Sequence, residues 1–191
     1  MTDEEIRQRV LTITNSCWDK ALHAIAVYYI LRRRADKIER LMNINKITGI
    51  IIPILIGSIA TTYSDKADLL KIFILITSPI AILQLLLTGY LMASNKENNY
   101  TSFVAGAIKN NQLNHDFEHL ARNPLPYPEF QIKYDLLCEK ERLLKEDDSF
   151  SDKEQRKGMR YALKTYRRAC AGCGIEPNNM QSTNCDVCGN F

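Results

Sequence analysis

Four of the six cysteines fall into two CxxC pairs near the C-terminus, Cys170 with Cys173 and Cys185 with Cys188, with eleven residues between the pairs. Each pair places two thiolates on one tight turn, and a loop of that length can fold back to complete a tetrahedral site for zinc. Four thiolates fill the tetrahedron and leave no position for water, so a structural site is expected rather than a catalytic one. So small a knuckle encloses almost no core, and the metal itself would supply the folding energy. Residues 170–191 are expected to end the last helix and to present a small binding surface, with short hairpins inside the knuckle. Redox and nucleic-acid roles are the alternatives.

Two other groups of residues carry chemistry. His115, Glu118 and His119 spell HxxEH, the inverted zinc-peptidase pattern, in which two imidazoles one helical turn apart hold zinc and the Glu activates water. Such a peptidase needs a third ligand and a substrate cleft, and a polar helix face accounts better for these residues. The chain has one further histidine, His23, and no Gly-rich phosphate loop or GxSxG elbow, so no enzyme is expected. Lys153, Lys157, Arg160, Lys164 and Arg167 recur at steps of four and three with Arg156 and Arg168 beside them, forming one basic stripe. A solvated face, contact with anionic lipid headgroups and contact with a phosphate-rich ligand all fit that stripe. Arg32, Arg33 and Arg34 carry the same ambiguity.

The elements that position these groups divide into membrane and soluble parts. Mean hydropathy is −0.23, which conceals a strong asymmetry along the 191 residues. Residues 47–63 hold seven isoleucines and no ionisable side chain before Tyr63, and residues 69–93 form a second apolar stretch with Lys71 near its start. Crossing roughly 30 Å of hydrocarbon takes about twenty residues, so the first stretch is near the lower limit and the second is ample. Both lie too far from the N-terminus to be a signal peptide. Arg32, Arg33, Arg34, Lys37, Arg40 and Lys46 precede the first stretch, whereas the intervening loop, residues 64–68, offers only Lys66. Positive-inside bias then puts both termini in the cytoplasm. That reducing compartment favours metal over disulfides at the clustered cysteines and leaves Cys17 and Cys138 as free thiols. The net charge of +3 is too small to argue for nucleic acid.

The expected fold is an all-α membrane protein: an amphipathic helix over residues 1–46, a two-span transmembrane hairpin over 47–93, a cytoplasmic helical region over 94–169 and the zinc knuckle over 170–191. Ile6, Val10, Ile13, Cys17, Ala21, Ala24, Tyr28, Leu31, Ala35, Ile38 and Met42 follow one another at steps of three or four, with no Gly or Pro between them. Packing against the chain's own later helices and self-association as a coiled-coil-like stalk both satisfy such a seam. Because this helix leads almost directly into the first span, it could pass movement to the membrane. Gly49, Pro53, Gly57 and Ala60 give the first span a face that a second helix can approach closely. On the second span Thr77, Ala81, Gln84 and Thr88 share a face, and a mid-membrane Gln needs a hydrogen-bond partner or water. Interhelical hydrogen bonding meets that need; so does an aqueous path lined by Thr77, Gln84 and Thr88, which requires several copies of the chain. Beyond a polar exit at residues 95–100, helices are expected over 101–122, over 129–146 through Ile132, Leu136, Leu137 and Leu143, and from the capping box of Ser151 and Glu154 to about Ala169. Three prolines between 123 and 128 separate the first two.

Cys170, Cys173, Cys185 and Cys188 at this spacing, behind an N-terminal helix, a two-span hairpin and a cytoplasmic helical region, give the chain a resemblance to the SLATT superfamily of bacterial two-transmembrane effectors, in its branch of mobilome CxxCx(11)CxxC proteins. The cysteine spacing is the specific element, and the rest of the resemblance is architectural. It implies an oligomeric pore in the bacterial inner membrane that acts in antiphage defence by damaging the infected cell. It also implies a neighbouring nucleotidyltransferase or nucleotide-sensing protein as partner and a nucleotide or oligonucleotide as gating ligand. Arg160, Lys164 and Arg167 would be the first choice for binding that ligand, and Arg32, Arg33 and Arg34 the second. The alternative is a non-conducting membrane anchor whose zinc knuckle recruits a protein or nucleic acid.

Overall fold

A computed structural model describes residues 2–62, 67–144 and 150–191. Among them are five helices and no strand: α1 (Asp3–Thr62), α2 (Ala67–Ala93), α3 (Lys96–Arg122), α4 (Glu129–Leu144) and α5 (Asp152–Tyr166). The expected end of the first span at Tyr63, loop residues 64–66 and the expected end of α4 at 145–146 lie outside the described residues. Two compact units are present, one formed by Met1–Arg33 with Phe103–Phe191 and one by Arg34–Ser102.

In the first unit α1 is covered on two faces. Ile13, Cys17, Ala21 and Ala24 pack against Leu113, Phe117, Leu120 and Ala121 of α3 and Phe130 of α4. The expected seam is therefore buried against the chain's own later helices over this stretch. Leu22, Ile25 and Ala26 form a second stripe that meets Ala162 and Leu163 of α5 together with Cys170 and Cys188. The α1–α5 contact is close because Gly158 has no side chain: a Cβ there would lie 2.8 Å from the carbonyl oxygen of Ala26. Further along, Tyr29 stacks on Tyr161 with ring centroids 4.3 Å apart. The buried Asn114 of α3 ties the elements together by donating to the Ala21 carbonyl at 2.9 Å and to the Tyr166 hydroxyl.

Helix ends follow local chemistry, with two departures from expectation. Ser151 accepts from the Glu154 backbone N–H and Glu154 accepts in return from that of Ser151, so the capping box opens α5. The helix stops at Tyr166 rather than Ala169, because Arg167 turns left-handed and its N–H bonds back to Leu163 and Lys164. The expected polar exit shrinks to a turn, with α3 starting at Lys96. In α4 the packed face is Phe130, Tyr134, Leu137 and Cys138, while Ile132, Leu136 and Leu143 are exposed. Two apolar rows thus share that helix, and expectation had merged Leu137 with the wrong one.

The second unit is an apolar helix pair. Both α1 and the stretch of α2 from Lys71 to Ala93 are long and apolar enough to cross a membrane. Pro53 and Pro79 lie inside these helices. Among the described side chains of α2, Phe73, Thr77, Ala81, Gln84, Leu87, Thr88 and Leu91 are partly or fully covered, one face at helical spacing. That face meets α1. Thr88 donates to Asn45 Oδ1 at 2.9 Å, and a Cβ at Gly49 would lie 3.0 Å from Gln84 Nε2. Apolar side chains such as Ile50, Ile54, Leu75, Leu83, Leu85 and Leu86 point away from the pair and are exposed.

Candidate metal centre

Two near-identical turns build the site. In each CxxCG segment the residue two beyond the first cysteine, Gly172 or Val187, donates its N–H to that cysteine's sulfur at 3.4 Å. The following glycine, Gly174 or Gly189, donates its N–H to the same cysteine's carbonyl at 2.8 Å. The backbone thus aims two sulfurs inward from each turn. The turns then press together, since a Cβ on Gly172 would lie 2.6 Å from Val187, and the second turn closes on the loop before it, where a Cβ on Gly189 would overlap Thr183. No strand is needed for this, so the hairpins expected within the knuckle are replaced by hydrogen-bonded turns.

All four sulfurs lie within 4.8 Å of one another, and the Cys170–Cys185 and Cys173–Cys188 pairs are 3.9 Å apart. Metal–sulfur bonds of about 2.3 Å in a tetrahedron require sulfur separations near 3.8 Å, so the cluster fits a metal ion. Cys170 and Cys188 are buried and Cys173 is exposed. The backbone N–H of Cys188, then that of Val187, lowers the Cys185 thiol to about 6. Burial, and then hydrogen bonding to Cys170, pushes the Cys188 thiol upward. Cys185 is therefore the ready-made thiolate of the set.

The structure separates the members of the basic stripe. Arg160 is buried beneath the knuckle, donating to the Asn179 carbonyl at 2.8 Å, to the Cys188 carbonyl at 3.3 Å and to Asn179 Oδ1 at 3.4 Å. Arg156 donates to the carbonyls of Asp186 and Asn190, and Arg168 pairs with Asp19 at 3.0 Å. Lys164 and Arg167 are exposed on α5 and at its cap. Arg32 and Arg33 lie exposed in the first unit, where Arg33 donates to the Tyr29 hydroxyl, and Arg34 opens the second unit. Thr77, Gln84 and Thr88 are brought to one face, the face against α1. His115 and His119 are exposed while Glu118 pairs with Arg122, and among the described residues these three form no metal-competent cluster.

Sequence reasoning missed the use of Arg160 and Arg156 as anchors. No motif marks them; the signal is only that a knuckle without its own core must be held from outside. The glycine after each CxxC was missed as well: Gly174 turns left-handed and Gly189 lies against Thr183.

A family model described as Mobilome CxxCx(11)CxxC protein matches residues 14–191. No curated protein and no solved structure matches the chain.

Proposed function

The chain belongs to the mobilome CxxCx(11)CxxC protein family, and from that premise we propose that it is an oligomeric, pore-forming membrane effector of bacterial antiphage defence, of the SLATT type. Several copies sit in the inner membrane with both termini in the cytoplasm, and a nucleotide or oligonucleotide from a neighbouring nucleotidyltransferase gates them. Zinc at Cys170, Cys173, Cys185 and Cys188 is structural. The observation that carries the membrane part of the reading lies in the stretches 47–62 and 72–93 of the second unit, whose outward side chains are predominantly apolar while Asn45, Gln84 and Thr88 are turned inward. Lipid or further copies must cover such a surface.

This arrangement refines the pore. Thr77, Gln84 and Thr88 face α1 in the resting pair, so a path lined by them opens only when α1 gives way along that face. The exposed cations Lys164, Arg167, Arg32 and Arg33 remain candidates for an anionic ligand or lipid, whereas Arg160 serves the knuckle. Ion flux from liposomes containing the purified protein, with and without the neighbouring enzyme's product, tests the reading. Flux that responds to the product supports a gated pore; tight vesicles with correctly inserted protein under all conditions would overturn it. Gln84→Leu is expected to abolish flux without reducing insertion, and normal conductance in that variant removes Gln84 from the path.

A second reading, a non-conducting anchor that recruits a partner through the knuckle, draws on the exposed Ile175 and Val187 at the knuckle surface. Loss of partner capture in Ile175→Asp with vesicles still tight would favour it.

A further inference from the structure

A cavity of about 360 Å³ lies inside the first unit where α1, α3, α4 and α5 converge. Its walls are Val27 and Ile30 of α1, Leu113 of α3 and Met159 of α5, and its buried polar groups are Asn110 and Glu141. That size is in the range that encloses a small organic molecule, and junctions between the helices of a bundle are where such sites are built.

The polar groups define what would fit. Glu141 has a side chain 8% exposed and accepts from Lys20 Nζ at 2.6 Å through Oε2, while His23 Nδ1 lies 3.8 Å from Oε1. A carboxylate has about four acceptor positions, so it can take ligand donors alongside its protein partners. Asn110 uses its amide N–H on the Gly106 carbonyl at 3.0 Å, which leaves its own carbonyl oxygen as a second acceptor. Among the described residues no Lys or Arg lines the cavity, and the buried charge on its wall is the Glu141 carboxylate.

We propose that this cavity is a binding site for a small flat molecule whose edge carries two adjacent N–H donors of the amidine type, held by Glu141 between apolar walls. Such an edge occurs on simple amidines and on guanine-like bases. The ligand would touch all four helices of the unit, and its N–H donors would form charge-assisted bonds. As an input to gating the site rests on the reading above; as a binding site it does not.

The test is calorimetric titration of the purified full-length chain with benzamidine and with guanosine, using benzoate as a control of similar shape and opposite charge. Saturable binding of at least one donor-bearing probe, and none of benzoate, is expected. Binding of guanosine alone identifies a base site, and binding of both identifies a general amidine site. Glu141→Gln should weaken the dissociation constant roughly ten- to a hundredfold, the range for loss of a charge-assisted bond. Because Glu141 also holds Lys20, Met159→Trp is the second variant: it fills the cavity from the opposite wall and should abolish binding while leaving the melting temperature of the free protein nearly unchanged. No binding of either probe, or unchanged binding in Met159→Trp, overturns the site. Binding without any effect on liposome flux would uphold the site and detach it from gating.

Discussion

Cys185 and Cys17 show what the same thiol becomes in two surroundings. Burial, and then the proximity of Cys138, pushes Cys17 up to about 12, whereas backbone N–H donors draw Cys185 down to about 6. Cys185 has a folded pKa below its ordinary 9.0, so its ionisation favours the folded knuckle fully above pH 9, and that contribution is lost as pH falls through about 6. Cys17 should resist alkylation in the folded protein at mildly alkaline pH and react once the protein is unfolded. The cysteine spacing was legible because metal geometry constrains sequence directly. The roles of Arg160 and Asn114 were not, because each depends on backbone carbonyls distant in sequence, at Asn179, Cys188 and Ala21.

At the scale of elements, caps and breakers were legible and helix faces only in part. Ser151 and Glu154 announce α5, and Ser151→Ala is expected to cost about 1 kcal/mol, measured as a shift in chemical denaturation. Gly158 carries the opposite lesson. Alanine is the better helix former by about 1 kcal/mol, yet its methyl would press on Ala26 and Ile30, so Gly158→Ala should instead destabilise by about 1–3 kcal/mol. A measured gain would mean that α5 does not pack closely on α1. The second stripe of α1, at Leu22, Ile25, Ala26 and Tyr29, has the same three- and four-residue steps as the first. One seam looks sufficient in a sequence, and only the location of α5 and the knuckle shows that two are in use. The same holds for α4, where Ile132 and Leu136 match the period but face outward.

For the whole molecule the candidate metal site is part of a core. Cys170 and Cys188 share a cluster with Leu22, Ile25, Ala26, Ala162 and Leu163, so chelation should loosen α5 as well as the knuckle. Hydrogen exchange after metal removal should show faster exchange in residues 152–191 and on the Leu22 face of α1, with α3 against Ile13 and Cys17 nearly unaffected. Uniform exchange before and after chelation would mean that the metal adds nothing to this packing. The first unit is also assembled from two stretches of chain, Met1–Arg33 and Phe103–Phe191, with the apolar pair between them. This has a consequence in time. The stripe on α1 that α5 covers is synthesised well over a hundred residues before Ala162 and Leu163, an interval of roughly ten seconds at ordinary translation rates. Throughout it Leu22, Ile25 and Ala26 stay uncovered beside a nascent apolar hairpin, a window in which a holding chaperone, or the α5 of another copy, can reach them first.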